Sequence, residues 1–318
     1  MDTWNIAVLD AATLGSDIDL SVLAPLGNVH TYSLTERDQI PERLAGCEIA
    51  VLNKVRLDAE VLSGADKLKL ICVAATGYDN IDTVYCAAHG IAVCNVAGYS
   101  TNSVSQLTLA MVLSASVNLN AFRTAVANGS YSAGNVQNIL TPVFHELAGK
   151  TWGIIGYGGI GRKVAEGARA LGCRVIVHKR VPTEDAECVS LSELLRVSDV
   201  ISIHVPLNDG TRGMIGAREL EQMKDGVILV NVARGAVMDE EAVAQAVESG
   251  KLGYLGCDVY SSEPMKPEHP FYRIRQFDNV CLTPHMAWGA YEARQRCMSE
   301  IAENIRTFRS GGKRNRIV

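Results

Sequence analysis

The sequence predicts an α/β protein built from two doubly wound domains with parallel sheets. Short apolar runs rich in Val and Ile alternate with helical patterns almost from end to end. That alternation marks strands buried on both faces and joined by crossover helices. In mid-chain the stretch Gly156-Tyr157-Gly158-Gly159-Ile160-Gly161 stands where one such run meets a helical pattern. A length of 318 residues leaves room for two separate cores.

Taken in order, the strand candidates are 6–9, 49–52, 70–74 and 92–96, then 152–155, 174–177, 200–205, 227–232, 255–259 and 280–282. One long helical pattern, 102–128, separates the two series, and the loop-like Asn128-Gly129-Ser130-Tyr131-Ser132-Ala133-Gly134-Asn135 follows it. We therefore expect one domain from 1–100 plus 286–318, interrupted by a second at 101–285. The closing helix, expected at 290–309, would fold back onto the first domain. A ligand cleft is expected between the two α/β units.

Composition narrows the function. The chain is 47% hydrophobic and 20% charged, with a net charge of -5, which argues against nucleic acid as a partner. The basic end Lys313-Arg314-Asn315-Arg316 reads as a solvated tail. The most apolar helical stretch, 107–117, falls short of the roughly 20 residues that span a bilayer, so no membrane association is expected. The opening residues Met1-Asp2-Thr3-Trp4-Asn5 lack the features of a signal peptide. None of the nine cysteines forms a CxxC pair, and Cys72, Cys94, Cys257 and Cys281 sit in apolar patterns. They read as reduced core thiols of a cytoplasmic protein.

The glycine stretch follows a strand candidate and opens a helix, the context in which G-x-G-x-x-G binds a dinucleotide. Gly156 permits the tight turn, Gly158 lets backbone approach a pyrophosphate, and Gly161 lets helix and strand pack closely. The N-terminus of the helix that follows offers free N–H groups and a partial positive charge to the phosphates. An NAD enzyme places a carboxylate at the end of the next strand to grip the ribose. Here that end reads His178-Lys179-Arg180. Lys179 and Arg180 would pair with a 2′-phosphate, so the expected cofactor is NAD(P)H with a leaning to NADP(H).

Three further motifs each follow a strand candidate: Asn231-Val232-Ala233-Arg234-Gly235, Cys257 to Pro264 with Glu263 near its end, and Thr283-Pro284-His285. Ligands bind outside the carboxyl ends of strands in open α/β sheets, so Arg234, Glu263 and His285 are expected to converge. A guanidinium holds a substrate carboxylate bidentately. A histidine delivers a proton to the alkoxide formed as hydride arrives, and a glutamate fixes its tautomer and favours its protonated form. Singly, Arg234 reads equally as a surface ion pair, Glu263 as a turn cap and His285 as a core histidine. Together, downstream of a dinucleotide motif, they describe a hydride-transfer site. His204, at a strand end, is expected to line the cofactor. His30, His89, His145, His178 and His269 show no ligand spacing, so no metal is expected.

These motifs, together with Ala74-Ala75-Thr76-Gly77-Tyr78-Asp79-Asn80-Ile81-Asp82, Gly98-Tyr99-Ser100-Thr101 and His204-Val205-Pro206-Leu207, give the chain a family likeness. Along essentially its whole length it resembles the D-isomer-specific 2-hydroxyacid dehydrogenases. The resemblance implies a Rossmann-type cofactor domain inserted in a flavodoxin-like substrate domain. It places Thr76, Gly159, Ile160, Val205, Pro206, Val232, Ala233 and Asp258 at the dinucleotide, with Asp258 at the nicotinamide amide. It places Asn53, Ala75, Thr76, Gly77, Arg234, His285 and Trp288 at the substrate, a small 2-keto or 2-hydroxy acid. It also implies a homodimer joined through the cofactor domain.

Within the family, Leu52-Asn53-Lys54-Val55, Cys94-Asn95-Val96, Pro284-His285-Met286-Ala287-Trp288 and Glu292-Ala293-Arg294 look most like members acting on hydroxypyruvate and D-glycerate, and on glyoxylate. Two departures stand out: Lys179 in place of the usual acid, and Gln106 where many members carry Glu. D-lactate dehydrogenase or another 2-ketoacid reductase stays open as an alternative. So does a dinucleotide-sensing, corepressor-like binding protein.

Overall fold

A computed structural model describes residues 3–318; Met1 and Asp2 lie outside the described residues. The chain divides into two compact units, one of Met1–Ser100 with Gly289–Val318 and one of Thr101–Trp288. Each contains one sheet whose neighbouring strands all pair in parallel, and both are α/β as the alternating apolar runs require.

The first unit contains β1 (Asn5–Val8), β2 (Asn28–Thr31), β3 (Ile49–Leu52), β4 (Leu70–Val73) and β5 (Ala92–Cys94) in the order β2-β1-β3-β4-β5. Strands β3, β4 and β5 are buried along their whole length. The edge strand β2, mostly exposed with the sequence Asn-Val-His-Thr, was not expected, because an edge needs no apolar run. Helix Tyr291–Arg309 belongs to this unit and buries Ile301 and Ile305. Its buried Asn304 donates from Nδ2 to Asn95 O at 3.0 Å and accepts from Asn315 Nδ2 at 2.9 Å.

The second unit contains β6 (Thr151–Ile155), β7 (Arg174–His178), β8 (Glu187–Cys188), β9 (Val200–Ile203), β10 (Val227–Asn231), β11 (Leu252–Cys257) and β12 (Val280–Leu282). The order is β12-β11-β10-β9-β6-β7-β8, which reverses direction between β6 and β9. Two-residue β8 is a second edge strand too short to register in the sequence pattern. Fully buried Trp152 on β6 donates from Nε1 to Ser202 Oγ on β9 at 3.0 Å, joining the two strands at the reversal.

The helical pattern 102–128 proves to be two helices, Thr101–Ser116 and Leu119–Ala127, bent by 66°. The break is at Asn118, whose φ of 50° is left-handed and whose Nδ2 donates to Val143 O at 3.0 Å. Asparagine visits this conformation more readily than most residues. Among the described residues no single helix is long and apolar enough to cross a membrane. The second unit also runs past its expected end at 285. Asp258 holds the amides of Met286 and Ala287, and Trp288 packs against that unit's core.

The Asn304 contacts suggest a stability test. Asn304→Ala leaves Asn95 O without its donor in a buried setting, which costs about 1–3 kcal/mol. Urea denaturation should show a lower midpoint at an unchanged slope; an unaltered midpoint would contradict the role given to this bond.

Candidate active site

The glycine loop begins where β6 ends. Gly156 has φ +95°, and a Cβ built on it would lie 2.7 Å from His204 C and 2.8 Å from Val205 N. Only glycine fits there, because β9 ends directly against the turn. A Cβ on Gly161 would fall 2.2 Å from Gly156 O, so helix Gly159–Ala170 packs on the strand only through a bare Cα. Gly158 differs: a Cβ there meets nothing within 4 Å. Space is open in front of the helix end, and the first intrahelical bond runs from Arg162 N to Gly158 O at 2.9 Å. Amides of the first turn therefore face outward, a cradle whose shape and polarity fit a pyrophosphate.

Beyond the reversal, β9, β10, β11 and β12 lie side by side, so the segments leaving their carboxyl ends form a row. Val205 and Pro206 follow β9. Val232 and Ala233 follow β10 and lead to Arg234, whose Nη1 donates to Ala233 O at 2.8 Å. Fully buried Asn231 staples that turn, accepting from Ala233 N and donating to Arg234 O, both at 2.9 Å. A Cβ on Gly235 would lie 2.1 Å from Tyr260 C, so the segment after β11 rests on the Arg234-Gly235 turn.

That segment carries Glu263. Its Oε1 accepts from Tyr260 N at 3.0 Å, and its Oε2 lies 2.6 Å from Nδ1 of His285, which follows β12. The two side chains remain 31% and 23% exposed. With Nδ1 turned to the carboxylate, Nε2 is left as the nitrogen for proton exchange. His285 has φ +53°, a conformation costly for a residue bearing Cβ. The turn is held by Asp258, which accepts from Thr283 Oγ1 at 2.6 Å and from Met286 N and Ala287 N at 2.9 Å each.

Asp258, expected at the dinucleotide, follows β11. It is 0% exposed, and its carboxylate braces the His285 turn. Burial pushes its carboxyl above the ordinary value, against the lowering effect of the three donors. His204 Nε2 lies 3.0 Å from Ser202 Oγ, and burial holds this imidazole far below its usual value, at about 3. Burial thus favours the neutral form of this ring. Lys179 and Arg180 follow β7, half-buried and exposed respectively.

The expected substrate residues of the first unit also lie at strand ends. Asn53 follows β3, buried, with Nδ2 donating to Thr13 Oγ1 at 3.1 Å, and its backbone N donates to Asp10 at 2.9 Å. Ala75, Thr76 and Gly77 follow β4; Thr76 Oγ1 donates to Val96 O at 3.0 Å. Among the described residues no three of His, Cys, Asp or Glu are grouped to hold a metal ion. Motif reading missed Asn231, Asp10 and the three donors to Asp258, whose roles depend on contacts across turns.

Residues 109–287 match the family model described as D-isomer specific 2-hydroxyacid dehydrogenase, NAD binding domain. A glycerate dehydrogenase from Methylorubrum extorquens is 37% identical over 278 residues, 87% of this chain and 88% of that one. The chain belongs to the D-isomer specific 2-hydroxyacid dehydrogenases. It is also 34% identical over 319 residues to a hydroxypyruvate reductase from Blautia hydrogenotrophica, covering 98% of each chain. Among solved structures it is similar to a D-lactate dehydrogenase from Aquifex aeolicus complexed with NAD and lactic acid. That structure matches with a TM-score of 0.84 and 30% identity over 96% of each chain. This dehydrogenase is thus an oxidoreductase with a nicotinamide dinucleotide cofactor, and the shape and polarity of the glycine cradle fit that group.

The cradle makes a sharp prediction. Gly161→Ala forces the helix off the strand at a cost of about 1–3 kcal/mol, so both thermal stability and nucleotide affinity should fall together. Fluorescence titration with NADH and NADPH checks this, and undiminished binding of both would count against the cradle.

Proposed function

We propose that this dehydrogenase reduces hydroxypyruvate to D-glycerate, with glyoxylate as a second substrate, and that it prefers NADPH. The observation that carries the reading is the Glu263–His285 pair, 2.6 Å apart in the same row of strand ends as Arg234. The names of the glycerate dehydrogenase and hydroxypyruvate reductase relatives support the substrate. When bound, the reduced nicotinamide supplies the hydride. Arg234 holds the substrate carboxylate through its planar fork and polarises the neighbouring carbonyl. His285 Nε2 delivers the proton to the developing alkoxide and reclaims it in the reverse direction. Glu263 holds the ring by its Nδ1–H and stabilises the charge the ring carries. Asn53 and the backbone of Ala75, Thr76 and Gly77 are our candidates for further substrate contacts, with Trp288 beside His285 in sequence.

Support for NADPH comes from Lys179 and Arg180 directly after β7, two cations able to pair with a 2′-phosphate. We also propose a homodimer, since Leu119, Val126, Val136, Leu140 and Val143 of the second unit are exposed apolar side chains close in sequence. Nine free thiols accord with a cytoplasmic setting.

His285→Ala should lower turnover with hydroxypyruvate by at least about 10²-fold while nucleotide binding persists. Near-normal turnover would remove His285 from the mechanism. The same assay with glyoxylate and pyruvate ranks the substrates; a clear preference for pyruvate would favour a lactate-forming enzyme.

For the cofactor, one charge-assisted contact to the 2′-phosphate favours NADPH by roughly tenfold or more in kcat/KM. Lys179→Asp should reverse that ratio. A wild-type preference for NADH, or a ratio indifferent to the substitution, overturns the assignment.

A further inference from the structure

Behind the Glu263 segment lies a buried acid–imidazole pair that the reaction does not touch. Glu240, the first residue of helix Glu240–Glu248, is 7% exposed, and His269, which caps helix Pro270–Ile274, is 8% exposed. His269 Nδ1 accepts from Phe271 N at 3.1 Å, so the ring's proton sits on Nε2. That nitrogen lies 2.9 Å from Glu240 Oε2, an ion-pair distance without hydrogen-bond alignment. Both oxygens of Glu240 also reach Ser261: Oε1 accepts from the backbone N at 2.8 Å and Oε2 from the hydroxyl. Ser261 stands two residues before Glu263. On its other flank, Tyr260 packs edge-on to His269 with ring centroids 5.6 Å apart, and its hydroxyl donates to Thr283 O at 2.9 Å.

We propose that Glu240, backed by His269, is a positioning residue that pins the Tyr260–Glu263 segment through Ser261 and so fixes how Glu263 holds His285. The proposal rests on His285 as the proton donor. Stability alone accounts poorly for the pair: burying an acid and an imidazole gains little over apolar residues of similar size. What the carboxylate adds is direction. It holds the amide and hydroxyl of Ser261, the first of three exposed residues leading to Glu263. A carboxylate that must meet Nδ1 at 2.6 Å tolerates little drift, since displacements near 1 Å cost up to about 10²-fold in rate.

The test is a double-mutant cycle on the full-length enzyme. Glu240→Gln keeps an acceptor for Ser261 N but turns an amide donor toward either Ser261 Oγ or His269 Nε2. Turnover with hydroxypyruvate should fall about 10- to 100-fold, with KM and nucleotide affinity changed less than about twofold. Placed on Glu263→Gln, the same substitution should cost nothing more, because its effect runs through Glu263. Ser261→Ala, at an exposed position that leaves folding intact, should show the same pattern more weakly, and Ser261→Thr should restore turnover. Equal losses in both Glu263 backgrounds, or no loss from either Glu240→Gln or Ser261→Ala, overturn the proposal. His285→Ala separates the two ideas: if it stays active the proton-donor reading fails, whereas a dead His285→Ala with an additive cycle defeats only the positioning role.

Discussion

Asp258 stands at the carboxyl end of β11 with no solvent exposure, and three donors from the segment after β12 converge on its carboxylate. These bonds flank His285 and help to keep it at φ +53°, where a residue with a Cβ is strained. The imidazole's aim at Glu263 depends on that backbone conformation. A buried carboxylate is expensive unless its lone pairs are filled, and here the filling donors belong to the turn that needs holding. One interaction therefore offsets the desolvation of an acid and holds a strained turn.

The same arrangement recurs along the row. Asn231 braces the turn of Arg234, Asp258 that of His285, and Glu240 the segment of Glu263. Each brace is a buried polar side chain that accepts from or donates to the backbone of the segment it steadies. The parallel sheet makes this possible, since its carboxyl ends deliver successive segments to one edge. Glycines then set the spacing: Gly156 lets β9 close on the cofactor turn, and Gly235 lets the Glu263 segment rest on that of Arg234.

Much of the fold was legible because buried parallel strands leave continuous apolar runs. β2 and β8 were not, since edge strands are half solvated and carry no such run. The bend at Asn118 escaped notice because the apolar pattern continues through it, although the left-handed residue breaks the backbone. In the site, Arg234, Glu263 and His285 were legible because each follows a strand within a motif of unusual chemistry. His269 was not, because its partner Glu240 lies in another element and the two meet only through packing.

The sequence by itself determined the two-sheet architecture, the dinucleotide cradle and the family to which the chain belongs. Those rest on local rules: apolar period, three glycines at the spacing of a dinucleotide turn, and a short list of reactive residues at strand ends. Tertiary structure alone decided that Asp258 serves the His285 turn, that His204 is held neutral, and which buried acid stands behind Glu263. Those outcomes depend on desolvation and on donors supplied from distant segments, quantities that no stretch of sequence carries.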